Sequence, residues 1–143
     1  MVAPGTAPAA YSLRMAGTDN GAPNQTGYAP FVVAITSNVF YGTNLNDTLN
    51  GTAGDDIISA LAGNDSVIGN SGNDTLFGND GNDAMYGDGT ATLGVSGNDY
   101  LYGGNGNDAL YADYSLDATG GKDTIYGGAN DDTAYGYANT DLI

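Results

Sequence analysis

The sequence predicts an all-β repeat array, and three features in one nine-residue frame predict it. Aspartate recurs at Asp47, Asp56, Asp65, Asp74, Asp83, Asp99, Asp108, Asp123, Asp132 and Asp141, with successive gaps of 9, 9, 9, 9, 16, 9, 15, 9 and 9. Two residues after each stands an apolar side chain: Leu49, Ile58, Val67, Leu76, Met85, Leu101, Leu110, Ile125, Ala134 and Ile143. Two residues before each stands Leu45, Gly54, Gly63, Gly72, Gly81, Gly97, Gly106, Gly121, Asn130 or Asn139, and Gly and Asn are the residues that tolerate a left-handed backbone. A fixed period of this kind marks a stack of similar units, each too small to bury its own apolar face.

Each unit is thus a Gly/Asn turn, an aspartate, and a three-residue stretch whose middle side chain is apolar. The gaps of 16 and 15 place insertions of seven and six residues, near 88–94 and 113–119, and the frame resumes after both. They are expected to be loops.

Composition says what the aspartates are for. All 17 acids of the 143-residue chain are Asp, and the only bases are Arg14 and Lys122. A merely acidic surface would use Glu as well. Asp instead is short, suits tight turns and places its oxygens where a hard cation can reach them. Cys and His are absent along with Glu, which removes thiolate and imidazole metal sites and most catalytic bases. The chain is therefore not expected to be an enzyme. A net charge of −15 argues against nucleic acid as a partner and, with no long apolar run, against membrane insertion.

Segments such as Gly69-Asn-Ser-Gly-Asn-Asp-Thr-Leu76 and Gly103-Gly-Asn-Gly-Asn-Asp-Ala-Leu110 resemble the nonapeptide G-G-x-G-x-D-x-U-x of the RTX (repeats-in-toxin, haemolysin-type) calcium-binding family, U being a large apolar residue. The resemblance covers residues 42–143. Departures cluster at the ends: Leu45 in the first repeat, Ala118 and Lys122 in the eighth, and Asn130, Asn139 and Tyr137 in the last two.

The resemblance implies a right-handed parallel β-roll of about ten repeats, two to a coil, with the apolar set pointing inward from two facing sheets. It implies Ca²⁺ ligation by the ten aspartates named above. Turns two repeats apart become neighbours, stacking Asp47 with Asp65, Asp56 with Asp74, Asp65 with Asp83, Asp74 with Asp99, Asp83 with Asp108, Asp99 with Asp123, Asp108 with Asp132 and Asp123 with Asp141. That gives about eight inter-turn sites, whose ions would nearly balance the acidic charge. Columns of like charge at strand spacing oppose the coil without metal, so calcium is expected to drive folding. An EF-hand is excluded, because its loop ends in a bidentate Glu.

Ahead of the roll, residues 1–30 form an Ala/Gly/Pro/Asn-rich leader, and residues 31–41 are β-prone and expected to cap it. Phe40 stands nine residues before Leu49, as a degenerate first inward position. At the other end Ile143 is expected to be an inward position with nothing over it. The residues following the inward positions, among them Phe77, Tyr86, Tyr102, Tyr111, Tyr126 and Tyr135, should face outward and stack across strands.

The function these features imply is an extracellular structural module, secreted or at the bacterial cell surface, that folds on Ca²⁺ after export. Self-assembly with further copies, as a filament, surface layer or adhesin component, is expected from the open last coil. The alternative is an accessory module of a secreted polysaccharide-modifying enzyme, lipase or protease that contacts polysaccharide through its tyrosine rows.

Overall fold

In a computed structural model the described residues are 38–89, 96–113 and 120–143. The expected leader lies outside them, as do residues 31–37 of the expected capping strand and residues 90–95 and 114–119 of the insertions.

Turn chemistry sets the local structure. Gly63, Gly72, Gly81, Gly106, Asn130 and Asn139 all take positive φ, as their place two residues before the aspartate predicts. A second reversal lies two residues earlier, where Leu61, Asn70, Asn79, Gly104, Gly128 and Tyr137 are also left-handed. Between turns the described residues extend into ten strands: β1 (Asn38–Tyr41), β2 (Thr48–Asn50), β3 (Asp56–Ala62), β4 (Ser66–Asn70), β5 (Thr75–Asp80), β6 (Ala84–Asp88), β7 (Tyr100–Asn105), β8 (Ala109–Tyr111), β9 (Thr124–Ala129) and β10 (Thr133–Tyr135).

The strands alternate between two parallel sheets, ordered β1-β3-β5-β7-β9 and β2-β4-β6-β8-β10. This is the all-β parallel solenoid that the repeat predicts. Register follows the nine-residue frame: Val67 pairs with Met85, Leu76 with Leu101 across the first insertion, and Leu101 with Ile125 across the second. Phe40 pairs with Ile58, so β1 is the first strand of its sheet, and Phe40 packs against the core from its end.

The strands are longer than three residues in several coils, and they bury more than their middle side chain. Strand alternation puts residues i and i+2 on one face. Asp74, Leu76 and Gly78 are buried together, as are Asp83, Met85 and Gly87, and Asp108, Leu110 and Ala112. The core is Ile58, Ala60, Val67, Leu76, Met85, Leu101, Leu110, Ala112 and Ile125, with Phe40, Leu49 and Ala134 partly buried against it.

Ile143 differs from expectation. The frame does continue, with Leu142 bridged to Thr124 in parallel, but Ile143 stays 69% exposed. Among the described residues no strand packs over it, and its side chain is not part of the core.

On the outer faces the expected rings stack. Phe77, Tyr102 and Tyr126 form one ladder, and Tyr86, Tyr111 and Tyr135 the other, with centroids 5.0–5.3 Å apart. Parallel in-register pairing places each ring one strand spacing from the next, so the stacks stiffen two thin sheets. Among the described residues no helix is long and apolar enough to cross a membrane.

Candidate metal centre

The period-2 alternation that sends Leu76 into the core also sends Asp74 inward, to the rim where the turn closes. The ten aspartates fall on two columns, one on each edge of the roll. Turns leading into the first sheet, together with the last turn, carry Asp56, Asp74, Asp99, Asp123 and Asp141. Turns leading into the second carry Asp47, Asp65, Asp83, Asp108 and Asp132.

Within each column the aspartates are tied by one repeated hydrogen bond, in which the backbone N–H of one Asp donates to Oδ1 of the Asp one coil later. It joins Asp47 to Asp65, Asp56 to Asp74, Asp65 to Asp83, Asp74 to Asp99, Asp83 to Asp108, Asp99 to Asp123, Asp108 to Asp132 and Asp123 to Asp141, at 2.7–3.0 Å. These are the eight stackings expected from the repeat.

The second carboxylate oxygen is the informative one. Oδ2 of Asp65, Asp74, Asp83, Asp99, Asp108 and Asp123 is buried and accepts no hydrogen bond. Orphaned buried acceptors of this kind are costly and uncommon. Glycine keeps the space beside them open. A Cβ added at Gly69, Gly78, Gly87 or Gly103 would collide with Oδ2 of the aspartate five residues on in Gly69 and Gly78, Asp74 and Asp83, and with those of Asp99 and Asp108 for the other two. The same Cβ would collide with a backbone carbonyl of the next coil: Gly87, Gly103, Ala112 and Gly127 respectively. Carboxylate and carbonyl oxygens thus converge on one small space with no donor in it. Such an all-oxygen, anionic set suits Ca²⁺, which accepts irregular oxygen shells, and offers nothing to a metal that prefers sulfur or nitrogen.

Burial without a cation disfavours the charged carboxylates. Desolvation raises Asp74 to about 7, Asp83 to about 6, Asp99 to about 9 and Asp123 to about 6, and raises Asp108 as well. The backbone N–H from the preceding coil pulls each back, and neighbouring aspartates push it up again. A bound cation would reverse the dominant cause by replacing lost hydration.

The match to known proteins agrees with this chemistry. The model of the RTX calcium-binding nonapeptide repeat matches in four copies, at residues 41–76, 60–91, 93–113 and 115–143, which together are more than half of the chain. The chain belongs to the RTX calcium-binding nonapeptide-repeat family. It is a calcium-binding RTX β-roll module. No curated protein and no solved structure shows significant similarity to it.

Two features of this RTX roll escape a reading of the aspartates alone. One is a second ladder of opposite polarity beside the first. Oδ1 of Asn46, Asn64 and Asn82 accepts from the backbone N–H of Asn64, Asn82 and Asn107, and Oδ1 of Asp55, Asn73 and Asn98 accepts from that of Asn73, Asn98 and Lys122. The recurring Asn-Asp dipeptide is its sequence signal. The other is the pair Asp88 and Asp113, both buried, which fall outside the nine-residue phase of the ten. Their signal is position: each stands at the start of an insertion.

Proposed function

We propose that the roll is a non-catalytic, extracellular module whose folding is driven by Ca²⁺ held between its turns, with the ten in-phase aspartates and the turn carbonyls as ligands at about eight sites. The supporting observation is the two columns of buried Oδ2 atoms without donors, Asp65, Asp83 and Asp108 on one edge and Asp74, Asp99 and Asp123 on the other, set against carbonyls across glycine. A chain that keeps these acceptors dry and charged needs a cation to offset their lost hydration. Where calcium is scarce, as in a cytosol, the roll is open and exportable. Where calcium is millimolar, outside the cell, the columns fill and the coils close.

Circular dichroism tests this reading. In EDTA near neutral pH the spectrum should lack β signal, and Ca²⁺ should restore it cooperatively with per-site affinity of roughly 10⁻⁴ to 10⁻³ M, the range of extracellular modules. Mg²⁺, which demands a stricter octahedron, should not substitute. A β spectrum unchanged by EDTA overturns the reading, and a sub-micromolar midpoint removes its link to export.

A further inference from the structure

Asp88 and Asp113 occupy the same place in successive coils, on the edge that carries both insertions. The register pairs Asn70 with Asp88, and the Asp88 N–H donates to the Ala112 carbonyl at 2.9 Å, which sets Asp113 one coil beyond. Elsewhere this place holds a left-handed residue such as Asn70, Asn79, Gly104 or Gly128. Here an aspartate stands in each turn from which an insertion departs.

Both aspartates close the base of their insertion by the same bond. Asp88 Oδ1 accepts from the Gly97 N–H at 3.4 Å, and Asp113 Oδ1 accepts from the Gly121 N–H at 3.2 Å. That much is a structural role. Their remaining oxygens go further. Oδ2 of Asp88 is buried without a donor, and its carboxyl lies against that of Asp113. Asp113, Asp123 and Asp141 each offer a carboxylate oxygen to a group whose members all lie within 4.8 Å of one another. Among the described residues no other three acids converge in this way. Asp123, one of the three, is 2% exposed, and its Oδ2 is buried and accepts no hydrogen bond.

The surroundings hold the three together. The Ala138 N–H donates to Asp113 Oδ2 at 3.3 Å, and the Asn139 side-chain amide donates to the Gly120 carbonyl, so the last turn folds over Asp113. Gly120 carries no side chain where one would collide with both oxygens of Asp113. Three anionic carboxylates packed this closely repel one another unless a cation lies among them.

We propose that Asp113 joins Asp123 and Asp141, the last of the inter-turn pairs, to make a three-carboxylate cation site, tighter than the other inter-turn sites and the first in the roll to fill. Its ligand is a hard di- or trivalent cation, since affinity in oxygen sites rises with the charge of the ligand set. Filling it joins the two sides of the second insertion, Asp113 and Asp123, to the last turn at Asp141. The inference rests on the calcium reading above but adds a hierarchy that the regular repeat does not supply.

Terbium titration of the full chain tests it, with emission sensitised by its 11 tyrosines. The wild type should titrate in two phases, the first a single equivalent bound at least about tenfold more tightly than the rest. Asp113→Asn should remove the first phase and leave the second, while Asp80→Asn, at an exposed acid outside the trio, should titrate as the wild type does. Should Asp113→Asn not fold, Gly120→Ala, whose methyl displaces the Asp113 carboxylate, should show the same loss. A single phase in the wild type, or a tight equivalent that survives both substitutions, overturns the proposal. Calcium-dependent folding that persists beside such a result would leave the reading of the module intact, whereas loss of that folding response would remove both.

Discussion

The first two turns of the roll and the turns of its interior bear the same aspartate in the same frame, yet they satisfy it differently. At Asp47 and Asp56 a threonine four residues earlier does the work of a cation. The Thr43 N–H and hydroxyl donate to Asp47 Oδ2 at 2.6 and 2.9 Å, and the Thr52 N–H and hydroxyl donate to Asp56 Oδ2 at 2.5 and 3.1 Å. In the interior that place belongs to Leu61, Asn70, Asn79 or Gly104, whose left-handed backbone turns its N–H elsewhere, and Oδ2 has no donor. A carboxylate capped by its own turn tolerates the absence of metal. One facing carbonyls inside a stack does not. The entry turns therefore act as protein-satisfied ends of columns whose middle depends on calcium.

The largest expected effect is a contrast of two substitutions across this divide. Asp74→Ala removes a carboxylate from the interior column and strands the Asp56 N–H, whereas Asp47→Ala removes a Thr-capped carboxylate at the rim. The calcium midpoint for folding should rise at least about tenfold for Asp74→Ala and less than about threefold for Asp47→Ala, since loss propagates mainly to neighbouring repeats. Equal shifts would erase the distinction between the two regions.

Acidity should substitute in part for calcium, and only through the interior. The folded pKa values of Asp74, Asp83, Asp99 and Asp123, at about 7, 6, 9 and 6, lie above the ordinary value of 3.8. Folding therefore takes up protons, so these groups favour the metal-free roll most below pH 3.8, and that advantage is lost as pH rises through about 6 to 9. In metal-free solution β signal should appear on acidification to below about pH 4 and vanish towards pH 8. The opposite trend would show that the interior carboxylates are charged and satisfied without metal.

The smallest effect isolates the cap. Thr52→Val removes the hydroxyl but keeps the shape and the backbone donor to Asp56. Because the turn is exposed, denaturation in saturating calcium should show a loss of about 1 kcal/mol or less. A cost matching that of Asp74→Ala would mean that the entry turns are as dependent on their aspartate as the interior.

These contrasts mark how far the chain could be read as a string. The nine-residue phase resumed after the seven-residue insertion, and the family resemblance then placed Asp74 over Asp99, as the Asp74 N–H bond to Asp99 Oδ1 shows. The inward set from Leu49 to Ile125 and the outward rings were legible because a strand alternates faces with period 2. Burial of Asp74 beside Leu76 follows from that alternation too, although a three-residue strand hides it. Leu61 was not legible as a turn residue, since it takes φ 81° where glycine or asparagine would be expected.

The sequence by itself determined the nine-residue frame and, from residue chemistry, a hard cation with oxygen ligands, while the class of fold and the two aspartate columns came from the family that its repeat resembles. Only the tertiary structure decided which carboxylate oxygens are satisfied. Whether Asp56 Oδ2 meets a threonine and Asp74 Oδ2 meets none depends on how each turn closes, and the meeting of Asp113, Asp123 and Asp141 depends on coils stacking across residues far apart in the chain. A period specifies which residues are neighbours. Three-dimensional closure specifies which of their atoms lack a partner, and that is where a cation acts.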